Sequence, residues 1–192
     1  MYELPQLFER SNYVKASCGY AGLRNLSNTC YLNSLLAQLF MNVDFRQFMC
    51  RADTENIPSK ELLFETQKLF AFMQATKKRC VDPESFVSLL RNVDKKPIDV
   101  NVQMDVEESY NMLFDNWERQ FSTAEGQRQL RSFYRGRLVQ QVCSKECEHV
   151  SERTEDFAAI QCDIKGKGSL LESLESYVDG ELMEAGRFYA IS

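Results

Sequence analysis

The sequence predicts an α+β fold, helical over its first two thirds and strand-forming after that. Three observations predict it. Apolar residues recur at helical spacing from residue 30 to about residue 121. Near residue 132 the period changes, and β-branched and aromatic residues concentrate over Ser132–Val142. Of the 192 residues, 44% are hydrophobic and 11% aromatic, enough to form a core and to exclude wholesale disorder.

Residues 1–19 have no clear period and read as an arm. The first helix signal starts at Cys30. Leu32, Leu35, Leu36, Leu39 and Phe40 fall on one face, and Asn42 and Asp44 weaken the pattern. Arg51–Lys60 is polar, contains Pro58 and reads as a loop. A second helix is predicted over about Glu61–Thr76. A third has Asp82 as its cap, Pro83 in its first turn and a stripe of Phe86, Leu89, Leu90 and Val93. Lys95–Asn101, with Pro97, is a loop. A long helix follows, with Val106, Tyr110, Leu113, Phe114, Trp117 and Phe121 on one face. Beyond the strand at Ser132–Val142, Ile160, Cys162 and Ile164 alternate with Gln161 and Asp163. That alternation predicts a second, half-buried strand with Cys162 in its core. CSKECEH, residues 143–149, reads as a hairpin tip between the two. Gly166 and Gly168 break the chain, and Ser169 with Glu172 opens a last short helix as a capping box.

Composition narrows the functional classes. The formal net charge is -5 and there is no basic cluster, which argues against a nucleic-acid partner. No apolar run has the length of a membrane span, so no membrane partner is expected. The N-terminal MYELPQLFERSN lacks the form of a signal peptide, and the expected compartment is cytoplasmic or nuclear. Seven scattered cysteines, an odd number, predict free thiols with catalysis or metal ligation at a few of them. His149 is the single histidine.

Cys30 is the residue with the clearest chemical setting. A polar turn, Asn25–Thr29, delivers it to the start of a strongly patterned helix. A thiol attacks as its thiolate, a form that a helix N-terminus favours. Asn25 can point an amide donor into the turn, and the Cys30 backbone N–H supplies a second. Two such donors are what the oxyanion of an acyl transfer needs. The competing reading is a small buried residue opening a core helix, with Asn28 or Thr29 as cap. On spacing alone that second reading is favoured.

Residue identities reverse the weighting. GLRNLSNTCYLNS, residues 22–34, resembles the Cys box of the ubiquitin-specific proteases, Gly-Leu-x-Asn-x-Gly-x-Thr-Cys-Tyr/Phe-x-Asn-Ser. Gly22, Leu23, Asn25, Thr29, Cys30, Tyr31, Asn33 and Ser34 match, and Gln38 and Leu39 continue the match. Ser27 stands where the family usually has Gly, a costly exchange if that position needs φ > 0. QMDVEESYNML, residues 103–113, is similar to the family's Gln-x-Asp-x-x-Glu-Phe box through Gln103, Asp105 and Glu108, with Ser109 in place of Phe. In the family this box lies beside the channel for the basic ubiquitin tail, and Asp105 suits it electrostatically. An acidic helix start is the plainer reading of the same segment. CSKECEHVSERTEDF, residues 143–157, resembles the first half of the family's zinc-binding fingers, with Cys143 and Cys147 as a half site.

The resemblance covers nearly the whole chain after residue 19. It implies a papain-like cysteine protease fold of the ubiquitin-specific protease type, incomplete here. A helical thumb would span about 20–131, and the start of the β-fingers and palm strands about 132–192. No segment matches the family's His box, so the chain as it stands is expected to lack its base. His149 lies in the finger-like segment, where the family has a non-catalytic histidine, and a structural or zinc-adjacent role is expected of it. The implied function is a thiol-dependent deubiquitinase that cleaves the bond after ubiquitin's C-terminal glycine. Cys30 is its nucleophile and Asn25 its oxyanion donor, with Gln103 and Asp105 on the substrate side. Partners are ubiquitin and ubiquitinated proteins. Catalysis requires no cofactor, and the intact parent would hold a structural zinc. Two alternatives stay open: a catalytically dead ubiquitin-binding or regulatory fragment, and a small zinc-finger interaction protein. Strands without later partners also predict marginal stability for the isolated chain.

Overall fold

The computed structural model describes residues 14, 15, 17–53, 61–144 and 147–179. Most of the expected arm, residues 54–60 of the first expected loop, and Lys145 and Glu146 of the expected hairpin tip lie outside the described residues. The chain divides into two compact units, residues 1–128 and 129–192.

In the first unit a short strand, β1 (Gly22–Leu23), pairs in parallel with β2 (Cys80–Val81). Around this pair stand α1 (Cys30–Met41), α2 (Val43–Arg51), α3 (Leu62–Ala75), the one-turn α4 (Glu84–Val87) and α5 (Val106–Glu118). Asn42 ends α1 and starts α2. Its backbone N–H donates to Gln38 O at 3.3 Å, and its side-chain oxygen accepts from the Phe45 N–H at 3.1 Å. The polar residue that weakened the sequence pattern is therefore a joint between two helices. α2 was not foreseen, because Phe45 and Met49 are the only residues it buries.

Those two residues reach the centre of the unit. The Phe45, Phe114 and Trp117 rings lie 5.4–6.0 Å apart, and Phe40 meets Phe70 edge-on at 5.5 Å. Trp117 is fully buried, and its indole N–H donates to Thr66 Oγ1 at 2.7 Å. The Thr66 hydroxyl in turn donates to Leu62 O at 2.7 Å. An unsatisfied indole donor at this depth would cost about 1–3 kcal/mol, so Thr66 decides whether the α3–α5 packing is favourable.

The first unit also corrects three expectations. The third predicted helix is only the one-turn α4. Asp82 does act at its start, accepting from the Glu84 N–H at 3.1 Å. Asn92 then takes the chain away: its side-chain oxygen accepts from the Lys96 N–H at 2.9 Å, closing a turn with Lys95 at φ 61°. Val93 is left 90% exposed rather than on an apolar stripe. Val106 is exposed because it opens α5, whose buried face begins at Ser109, and Leu35 is half-buried.

In the second unit, α6 (Ala124–Ser132), which starts in the first, runs into β3 (Gly136–Cys143). β3 pairs antiparallel with β4 (Val150–Phe157), from Gly136 opposite Phe157 to Cys143 opposite Val150. α7 (Leu170–Val178) follows. The first expected strand thus begins at Gly136, since Ser132 is still helical. Its partner is VSERTEDF and not the alternating segment around Cys162. Ile164 is 86% exposed, and Cys162 is half-buried outside any strand. Local closure overrode hydrophobic alternation here. The tip bond from the Ser144 N–H to His149 O (3.1 Å) and the cross-strand Gln141–Glu152 bond (2.6 Å) pin a polar strand that no apolar period marks. Gly136 is required by close approach, because a Cβ there would come within 2.5 Å of the Phe157 ring. α7 is capped as the sequence predicts. Ser169 Oγ accepts from the Glu172 N–H at 3.2 Å, and the Glu172 carboxylate accepts from the Gly168 N–H at 2.7 Å.

Candidate active site

The turn before Cys30 is held from every side. The Gly22 N–H donates to Arg79 O and the Arg24 N–H to Val81 O, both at 2.9 Å, so β2 fixes its entry. From α1, Asn33 Nδ2 donates to Arg24 O at 3.2 Å. On the far side the Asn28 N–H donates to Val100 O at 2.9 Å, and Asn28 Nδ2 to Asn101 O at 2.6 Å. The turn is thereby stitched to the segment that leads into α5. Ser27, at the crest, has φ 155°, in the region that glycine enters most easily.

Inside the turn, Asn25 and Thr29 face one another. Asn25 Oδ1 accepts from the Thr29 N–H at 3.0 Å and from the Thr29 hydroxyl at 2.9 Å. Thr29 is fully buried, and its Oγ1 accepts from the Leu26 N–H at 3.1 Å. Two consequences follow for Cys30, the first residue of α1. The Asn25 amide oxygen is fixed inward, so its NH₂ group is the end left to donate, with no partner among the described residues. Thr29 occupies the N-cap position but makes no side-chain cap, unlike Asn42, Asp105 and Ser169 at their helices. The Cys30 N–H is therefore one of the open donors of a helix start. The Cys30 side chain is exposed. The exposed Cys30 thiol thus follows a turn in which neither the Asn25 NH₂ nor the Cys30 N–H has a hydrogen-bond partner among the described residues, and donors of this kind are what an oxyanion needs.

Behind the thiol, Tyr31 is buried. Burial pushes its phenol pKa up, and the charges of Cys30 and of Glu108 on α5 push it further. Ser109, the residue that departs from the family's box, is fully buried, and its Oγ has no partner among the described residues. Gln103 is exposed on the segment that enters α5. Asp105 is the N-cap of that helix, with Oδ1 accepting from the Glu107 N–H at 2.8 Å and the Glu108 N–H at 3.4 Å. Asp105 thus has a structural duty that would be complete without any substrate. The chain brings Cys30, Asn25 and the Gln103–Asp105 segment into one unit, joined through Asn28.

The other predicted residues lie in the second unit. Cys143 ends β3, and Cys147 and His149 sit in the hairpin tip, all exposed. The Ser144 hydroxyl and the His149 backbone N–H lower the Cys147 pKa against a weaker effect of burial. That tilt towards thiolate suits a zinc ligand in kind. The donor set does not fit in number: among the described residues no group of three or more His, Cys, Asp or Glu side chains is gathered, and tetrahedral zinc needs four ligands. No helix of the described residues is long and apolar enough to cross a membrane.

The clamping roles of Asn28, Thr29 and Asn33 were not predicted. Asn and Thr spacing around a cysteine signals a cap, and only the direction of each side chain shows that these residues hold a turn instead.

Cys30 is an exposed thiol opening a helix in a mixed helix-and-strand chain, and comparison with known sequences identifies the family. The sequence pattern described as ubiquitin carboxyl-terminal hydrolase matches residues 21–178, and the chain belongs to that family of papain-like cysteine proteases, as a ubiquitin-specific protease sequence. Ubiquitin carboxyl-terminal hydrolase 34 of Homo sapiens is 30% identical over 180 residues, covering 93% of this chain and 5% of the relative. Ubiquitin carboxyl-terminal hydrolase puf of Drosophila melanogaster is 29% identical over 180 residues, covering 93% and 4%. Ubiquitin carboxyl-terminal hydrolase 15 of Schizosaccharomyces pombe is 30% identical over 178 residues, covering 92% and 15%. The chain spans a small part of the length of each of these curated relatives.

Proposed function

We propose that this chain carries the nucleophile half of a deubiquitinase, with Cys30 attacking the carbonyl of ubiquitin's C-terminal glycine. The Cys30 thiolate sulfur forms a bond to that carbon. The carbonyl oxygen takes the negative charge and is held by the Cys30 N–H and Asn25 Nδ2. Collapse expels the substrate amine, which leaves with a proton, and water later cleaves the thioester. In this reading the proton passes through a histidine supplied from outside residues 1–192, and His149, in the finger-like hairpin tip, has a structural role. Gln103 and the outer oxygen of Asp105 flank the basic ubiquitin tail. The helices of the first unit act as a thumb, and the β3–β4 hairpin as the start of fingers whose Cys143 and Cys147 give half of a structural zinc site. Partners are ubiquitin and its conjugates, with no nucleic acid or membrane involved, in the cytoplasm or nucleus.

The inward fixing of Asn25 by Thr29 is the observation that carries this reading, because it presents the amide donor and leaves the helix start uncapped. Ubiquitin bearing a C-terminal electrophile tests it, with intact mass as readout and Cys30→Ala as control. With the base outside residues 1–192, the expected result is one slowly formed adduct that needs Cys30. A folded chain that forms no adduct would leave it as a binding or regulatory module without chemistry of its own.

A further inference from the structure

Asn92 turns the chain back after α4 and leaves a rigid tip in water. Three hydrogen bonds at 2.9 Å hold it, from the Asn92 N–H to Lys96 O, from the Lys95 N–H to Asn92 O and from the Lys96 N–H to Asn92 Oδ1. A bridge between Arg91 and Pro97 closes its base. Val93, on the tip, is 90% exposed. An apolar side chain on a preformed turn loses little freedom when it docks. Asp94, Lys95 and Lys96 are exposed beside it, so the tip carries one net positive charge. Neither ammonium has a partner among the described residues.

A cleft of about 490 Å³ adjoins this turn, and Pro97 belongs both to the base of the turn and to the cleft wall. Leu26, Val87, Ile98 and Val100 make the wall apolar. Arg24 pairs with Asp82 and reaches Glu84 at 3.4 Å, so two carboxylates share one guanidinium and a negative charge is left over. Glu84 remains 75% exposed at its side chain. The tip thus has an apolar side chain with a surplus cation, and the cleft an apolar wall with a surplus anion. Val93 is too exposed to fill the cleft of its own chain. A second copy supplies what is missing. Because tip and cleft meet at Pro97, two copies related by a two-fold axis seat each other's tips at once, and the pair is closed.

We infer that this face is a self-association surface, where Val93 of each copy enters the other's cleft and Lys95 and Lys96 face its Glu84. Asn25 is also in the wall, so the pair covers that side of the turn before Cys30 when the protein is concentrated and uncovers it on dilution. Sedimentation equilibrium of the full chain tests this without reference to ubiquitin or to chemistry at Cys30. A contact this small predicts a weak dimer, with Kd on the order of 100 µM. Glu84→Lys alone, and Lys95→Glu with Lys96→Glu alone, each set like charges together and should weaken it at least about tenfold. An equimolar mixture of those two proteins should recover about the wild-type constant, since one contact of the mixed pair is native and the other has both signs reversed. Val93→Ser, on an exposed position that leaves the fold alone, is a second probe and should weaken the dimer about threefold or more. A wild-type chain still monomeric at about 1 mM, a dimer indifferent to Val93→Ser and Glu84→Lys, or a mixture of folded variants that fails to recover would overturn the inference.

Discussion

Asn25 Oδ1 accepts two hydrogen bonds from one residue, the Thr29 N–H at 3.0 Å and the Thr29 hydroxyl at 2.9 Å. This pairing lets one side chain do two separable things. Its oxygen shapes the turn, and its nitrogen is left free to donate, in the proposed function to the oxyanion. Asn25→Asp keeps an acceptor for Thr29 and loses the donor, whereas Asn25→Ala loses both. Transfer of ubiquitin from a small thioester onto Cys30 reads the donor, because that step passes through an oxyanion and needs no acid for its leaving group. Asn25→Asp should unfold with the wild-type midpoint yet slow the transfer by about 10²-fold. Asn25→Ala should slow it similarly and also lose about 1–2 kcal/mol in urea titration. A normal transfer rate in folded Asn25→Asp would remove Asn25 from the oxyanion site.

Ser27 tests whether the turn is under strain. Its φ of 155° lies where a Cβ is disfavoured and where the family's box usually has Gly. Ser27→Gly should stabilise the chain by about 1 kcal/mol, the relief of backbone strain less the greater freedom of glycine in the unfolded chain. Chemical denaturation of the two proteins measures the difference. Equal midpoints would mean that the surrounding bonds of Asn25, Asn28 and Asn33 hold a turn that serine adopts without cost.

The helix that Cys30 opens was legible in the sequence, and less of the rest of the fold was. Cys30, Asn25 and the start of α1 are local features, fixed by residues close together in the chain and by a long specific motif. The capping box at Ser169 and Glu172 was readable for the same reason. What failed was long-range or compensated. Ile160–Ile164 has the alternation of a strand, but VSERTEDF had already paired with β3 through a local hairpin. Val93 has the spacing of a helical stripe, but Asn92 offers the backbone a turn one residue earlier. Periodicity reports what a segment could bury, and it cannot report which partner reaches it first.

Asp105 illustrates a residue that the sequence assigned to substrate and the fold also uses as a cap. The two roles separate by charge. Asn caps about as well as Asp but carries no charge, so Asp105→Asn should keep α5 and the melting midpoint. Its affinity for ubiquitin should fall by a few fold, and the remaining affinity should depend less on salt. Asp105→Ala should lose about 1 kcal/mol of stability as well. An Asp105→Asn protein that binds ubiquitin as the wild type does would leave Asp105 a cap alone.

The cysteines should differ in the pH at which they react. At Cys147 the Ser144 hydroxyl and the His149 N–H favour the thiolate and outweigh burial, so the pKa is lowered. At Cys50 burial disfavours the thiolate, and the opposing pull of Arg46 does not overcome it, so the pKa is raised. Alkylation follows the thiolate, and each site's rate should climb as the pH passes its own pKa. With a chelator present and iodoacetamide applied from about pH 6 to pH 10, around the ordinary thiol value, Cys147 should reach half its limiting rate at a lower pH than Cys50. Peptide mass mapping resolves the two sites. Ser144→Ala removes the hydroxyl hydrogen bond to the thiol and should move the Cys147 midpoint upward while leaving that of Cys50 in place. Coincident midpoints for Cys147 and Cys50 would show that the hairpin tip does not hold its thiol in this way, and a Cys147 midpoint unmoved by Ser144→Ala would assign the effect to the His149 N–H alone.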